Sequence, residues 1–151
     1  MTATHADFAS SEAVRSSISV SSPSRAALWG GRVASGIAVL FLTFDAVFKL
    51  IQPAEAMKST EQLGYPGSVL FGLGVVQIVC LAIYLLPRTA VLGAVLWTGY
   101  LGGAIATHVR VGNPWLSHIL FPTYVAALLW AGLWLRNARL RELLPFTRSV
   151  R

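Results

Sequence analysis

Five polar side chains interrupt otherwise apolar stretches of this sequence: Asp45, Lys49, Gln77, His108 and His118. Asp45 and Lys49 lie four residues apart in "DAVFK". On a helix that spacing puts both on one face, where a carboxylate and an ammonium can pair. His108 and His118 bracket the short segment "HVRVGNPWLSH". Together these residues have the chemistry for proton exchange, for hydrogen bonding to a small ligand, or for metal ligation. Two histidines and Asp45 would supply the three protein ligands of a catalytic zinc, but their spacing matches no zinc signature. Two imidazoles across one tight turn leave no room for a haem between them. The single cysteine, Cys80, sits in an apolar run, so no disulfide and no cysteine-based cluster can form within the chain. No nucleophile motif, phosphate-binding loop or dinucleotide fingerprint is present. The residues therefore predict neither a metal nor a cofactor, and they assign no catalytic residue.

The solvent that must surround these side chains follows from composition. The 151-residue chain is 55% hydrophobic and only 12% charged, about half the charge of an ordinary soluble domain. Four apolar runs, at 32–51, 68–86, 89–108 and 116–135, each hold about 20 residues, enough for a helix to cross the hydrocarbon core. Helices are required because lipid cannot satisfy open backbone groups. Gln52-Pro53 closes the first run, Tyr65-Pro66-Gly67 opens the second and Pro87 ends it. The net charge of +6 then reads as topology and not as a nucleic-acid footprint. Arg15, Arg25, Arg32, Arg88, Arg136, Arg139, Arg141, Arg148 and Arg151 fall on one side of a chain that crosses four times. Lys49, Lys58 and Arg110 fall on the other, with Glu55 and Glu61. The positive-inside rule places both termini in the cytoplasm. The predicted fold is all-α: a membrane-embedded four-helix up-down bundle joined by short turns. Residues 1–28 form a Ser-rich, disordered tail, residues 29–145 the transmembrane domain, and residues 146–151 a basic C-terminal tail. The segment from Arg136 to Leu144 continues as a short basic helix at the lipid surface.

Within this frame, Asp45 and Lys49 share a face with Leu42, Ala38, Ala34 and Gly30, and a small-residue stripe of that kind turns toward the bundle. The other reading is an interfacial pair with Lys49 reaching to the headgroups. Gln77, mid-span, is either a hydrogen bond between helices or a ligand contact. Gly99, Gly103 and Thr107 form a groove for a neighbouring helix. Pro122 cannot bond the carbonyl of His118 and should kink the fourth helix there. His108 and His118 lie at the outer interface, at the depth of Asp45 and Lys49. Trp115, Trp130 and Trp134 fit interfacial aromatic belts.

The block from "LGYPGSVLFGLGVVQIVCLAIYLL" through "GYLGGAIATHVRVGNP" to "HILFPTYVAALLWAGLWLRNARLRELLP", with "FKLIQP" ending the first span, resembles the DoxX-like family of small four-helix membrane proteins. "GYLGGAIATHVR" is its most specific part. The resemblance implies a fold and a membrane location, and an association with quinone-linked redox complexes. The family pattern puts glutamate in the second helix where this chain has Gln77, which cannot exchange a proton. Three functions compete. One is a non-catalytic accessory or small-ligand-binding module beside a redox complex, in the plasma membrane. Another is a small oligomeric transporter or channel using Asp45 and Lys49. The third is a membrane enzyme acting on a lipid or quinone through His108, His118 or Asp45. The first is the reading carried forward. Its partners are the lipid bilayer and either a redox complex or further copies of the chain, with no nucleic acid.

Overall fold

In the computed structural model, residues 23–143 can be described, and they are helical throughout apart from short connections. Residues 1–22 of the expected N-terminal tail (1–28), the end of the expected domain at 144–145 and the expected tail at 146–151 lie outside the described residues. Helix α1 spans Arg25–Ile51, so residues 25–28 of the expected tail are helical. The Ser24 hydroxyl caps it by accepting from the Ala27 amide at 3.2 Å. Gln52, in the left-handed region, and Pro53 end it.

Next comes a helix that the apolar pattern alone does not show, α2, Ala54–Gln62. Pro53 precedes it and Glu55 lies in its first turn, where a carboxylate favours the helix dipole. It closes with the Gly64 amide on Glu61 O and the Tyr65 amide on Thr60 O. This is the double hydrogen bond of a helix stop with glycine in the left-handed conformation, and Gly64 has φ 83°. Helix α3 runs Val69–Leu85 and stops ahead of Pro87; at 17 residues it is shorter than the expected span. Helix α4, Ala90–Arg110, ends as α2 does, with Gly112 (φ 70°) donating to Val109 O and Asn113 to His108 O.

The fourth apolar run begins as a π-helical turn, Trp115–Ile119, and continues as α5, Leu120–Arg136. The Leu120 amide reaches back to Trp115 O, the five-residue spacing of a π-turn, and Pro122 follows within the first turn of α5. Asn137 breaks the chain direction, and its Oδ1 accepts from the Leu140 amide at 3.3 Å to start α6, Ala138–Leu143. That short helix answers the basic segment expected after the last span.

Helix α1 packs against α5 and α3, α3 against α4, and α4 against α5, so the four long helices close a ring. The buried stripe of α1 is Gly31, Ser35, Ala38, Leu42 and Ala46. This corrects the expected stripe by one residue at its start: Gly30 is exposed and Ala34 half-buried. Backbones approach closely at Gly31 and Gly132, where a Cβ on Gly31 would stand 2.8 Å from the Gly132 carbonyl oxygen. The core carries Leu42, Leu81, Trp97, Leu129 and Leu133. Cys80 is buried and free. Tyr84 is fully buried, donates to Leu129 O at 3.0 Å and accepts from Ser35 Oγ at 3.1 Å. Its single proton goes to the carbonyl, so the serine must be the donor to it. The Arg136 guanidinium lies over the same ring, 5.4 Å from its centroid.

Outward the helices are greasy. Leu40 is 75% exposed and Phe44 69%, and Phe71, Val79, Leu92 and Val95 continue the apolar surface. A water-soluble monomer does not expose apolar surface on this scale. Arg25–Ile51, Ala90–Arg110 and Trp115–Arg136 are each long and apolar enough to cross a bilayer, and Val69–Leu85 is a shorter apolar helix.

Candidate functional site

A cavity of about 500 Å³ opens between the helices at the end where α1 passes into α2. That size lies within the range of about 300–1,000 Å³ of small-molecule sites. Helix α1 supplies Asp45 and Lys49, α3 supplies Gln77, and α4 supplies Tyr100, Thr107 and His108. Apolar walls come from Leu42, Leu73, Phe121 and Val125, among others. Thr60 and Leu63 of the α2 region and Tyr65 beyond it also border the space.

The polar end is organised around one carboxylate oxygen. Lys49 Nζ pairs with Asp45 Oδ2, as the four-residue spacing requires. Gln77 Nε2 donates to the same Oδ2 from α3, at 2.6 Å. The orientation of this amide is fixed chemically, because turning it over would set a carbonyl oxygen against the carboxylate. Gln77 Oε1 is then left buried with no hydrogen-bond partner among the described residues, on a side chain that is 1% exposed. An unsatisfied buried acceptor costs about 1–3 kcal/mol. Asp45 remains 32% exposed and Lys49 19%, so both present polar surface to a site that is otherwise apolar.

His108 borders the cavity, but His118 does not: it is exposed, and Ser117 Oγ lies 2.7 Å from its Nδ1. The two rings meet edge to face, 5.3 Å between centroids. The Asn113 amide lies 2.7 Å from His108 Nδ1. With the amide nitrogen donating, Nδ1 accepts and the neutral ring carries its proton on Nε2; with the amide turned over, its oxygen would accept from Nδ1–H. The same glycine stop that ends α4 delivers this asparagine to the ring. Among the described residues no group of three or more His, Cys, Asp or Glu is placed to hold a metal ion.

The expected packing groove also changes character. A Cβ at Gly99 or Gly103 would meet nothing within 4 Å, and both glycines line the cavity with Thr107. No helix of this chain packs into that face because the open space lies there. Close helix contacts occur instead at Gly31, Gly132, Gly74 and Gly93. Trp130, assigned to an aromatic belt by sequence, donates to Thr98 Oγ1 at 2.9 Å and ties α5 to α4.

The rim was missed at the level of sequence. Arg110 donates to Leu63 O and its guanidinium stands 5.4 Å from the centre of the Tyr65 ring. Tyr65 OH lies 3.3 Å from Thr107 Oγ1. Tyr100 carried a legible signal, since Tyr100, Ala104, Thr107 and His108 follow helical spacing along one face. The Tyr65 contact depends on the turn after α2 and has no such pattern.

Residues 33–132 match the DoxX-like family, which covers all four long helices in whole or large part. With the apolar helices, this makes the chain a multi-pass membrane protein. No curated protein and no solved structure matches it.

Proposed function

The chain belongs to the DoxX-like family, and from that premise we propose that it is a non-catalytic membrane module whose cavity binds a small, largely apolar ligand by a polar end. One observation carries this reading: Asp45, Lys49, Gln77 and His108, scattered over three helices, border a single cavity of small-molecule size. Polar residues within a membrane protein are costly and face bundle interiors where they serve a purpose. Here a paired charge and an amide face an apolar chamber, a combination suited to holding an amphipathic molecule in place.

The reading extends to placement. The four long helices form an up-down bundle in the plasma membrane with both termini cytoplasmic, supported by the arginines around α1, after α3 and after α5. The 17-residue α3, about 25 Å long, is accommodated by its flanking turns and by local bilayer thinning. The cavity then lies in the outer half. The family resemblance supports a role as an accessory subunit beside a quinone-linked redox complex, or as an oligomer of itself.

Gly103→Leu provides the test. A side chain there meets no protein atom at its Cβ, so it projects from the cavity wall without straining the helix. Protein purified in mild detergent and examined by native mass spectrometry should carry a small molecule that Gly103→Leu lacks at unchanged thermal stability. Identical spectra for the two proteins would remove the ligand reading.

A further inference from the structure

The cavity's polar end is unbalanced in a way that specifies its occupant. Lys49 is already paired with Asp45 Oδ2, and the Gln77 amide nitrogen is spent on the same atom. What remains is the acceptor capacity of the partly exposed Asp45 carboxylate and the orphaned Gln77 Oε1, beside the further N–H groups of Lys49. Acceptors call for a donor. The donor need not be charged, because Lys49 already neutralises Asp45 and a second cation would meet its repulsion. The walls at Leu42, Leu73, Phe121 and Val125 accept only an apolar body.

We infer that the ligand is a neutral amphipathic molecule bearing a hydroxyl, an alcohol or phenol, which donates its proton to the Asp45/Gln77 acceptors while its apolar body lies against Leu73, Phe121 and Val125. A hydroxyl suits the place for a second reason. Its oxygen can accept from Lys49 Nζ while its proton satisfies the orphaned acceptor. An ether or a hydrocarbon would leave Gln77 Oε1 unsatisfied, and a site built around buried polar groups discriminates against analogues that cannot pair with them.

This inference rests on the ligand reading above, and a matched pair of probes separates the two. The full chain in nanodiscs is titrated with 4-hexylphenol and with 4-hexylanisole, its methyl ether, which cannot donate. Gly103→Leu in the same nanodiscs provides the baseline, so that partition into lipid cancels. The phenol should bind about ten-fold tighter than the ether or better. In Gln77→Leu that preference should shrink while binding of the ether persists. Equal binding of both probes by the natural chain overturns the hydroxyl inference and leaves the cavity a ligand site, with water satisfying Gln77. Tighter binding of 4-hexylbenzylamine than of the phenol overturns the neutral head. Binding of neither probe above the Gly103→Leu baseline overturns the ligand reading and the inference together. The comparison on the natural chain decides the matter even if Gln77→Leu fails to fold.

Discussion

Gln77 on α3 donates to Asp45 on α1 at 2.6 Å, and the oxygen receiving that bond is the one Lys49 holds. An ion pair within one helix is thereby tied to a second helix by an uncharged amide. Replacing Asp45 with Asn leaves Lys49 without its counter-charge, and Lys49→Met leaves the carboxylate without its own. Each single change should cost about 1–3 kcal/mol. Asp45→Asn combined with Lys49→Met should cost less than the sum of the single changes, because no uncompensated charge remains. Thermal unfolding followed by tryptophan fluorescence in one detergent measures the cycle; strict additivity would show that the pair is not coupled.

The glycines divide into two classes with opposite expectations. Gly31→Ala and Gly132→Ala push a methyl into a facing backbone and should destabilise by about 1–3 kcal/mol, the cost of overpacking. Gly36→Ala and Gly72→Ala meet nothing within 4 Å and should stabilise slightly through helix propensity. Unfolding midpoints of the four variants, run side by side, should split accordingly.

Tyr84→Phe removes the hydroxyl that links Ser35 to Leu129 O. A loss of about 1–3 kcal/mol is expected, since it leaves two buried groups short of a partner. Ser35→Ala in the Tyr84→Phe background should add little, which the same melts will show.

The contact between the Asn113 amide and His108 Nδ1 selects one tautomer, and donation from the amide nitrogen selects the Nε2–H form. In 15N-labelled protein the His108 Nδ1 resonance should have the shift of an unprotonated nitrogen at neutral pH. Asn113→Leu should let the two tautomers mix, and Gly112→Val should do the same by straining the left-handed stop that carries Asn113. Unchanged imidazole shifts in both variants would refute the assignment.

The orientation can be read with thiol labelling. In a Cys80→Ala background, Lys58→Cys and Arg139→Cys place single thiols at two exposed positions. A membrane-impermeant maleimide added to intact cells should label the first at once and the second only after permeabilisation. The reverse pattern would invert the topology.

What the sequence revealed and what it concealed have a common physical origin. Period, charge and helix stops are local, so the long helices and the Asp45/Lys49 spacing were legible. The short α2 escaped because it is polar and lies between apolar runs, although Pro53 and Glu55 mark its start. The pattern at Gly99 and Gly103 is ambiguous for a different reason. Small residues at four-residue spacing show only that something lies close by or that space has been left, and here the space is a cavity. Gln77 could be read as glue or as a ligand contact, and the structure shows its nitrogen in the first role, with its oxygen unclaimed.

Close backbone approach is unevenly distributed along the bundle. At the Arg136 end α5 is pinned to α1 through Gly132 and Gly31, and α4 to α3 through Gly93 and Tyr84. At the other end α1 and α3 remain clamped at Ala46 and Gly74, while α4 and α5 border the hollow. The hollow is therefore bordered by glycines that act in opposite senses: Gly74 lets α1 and α3 meet beside it, while Gly99 and Gly103 keep its α4 wall open.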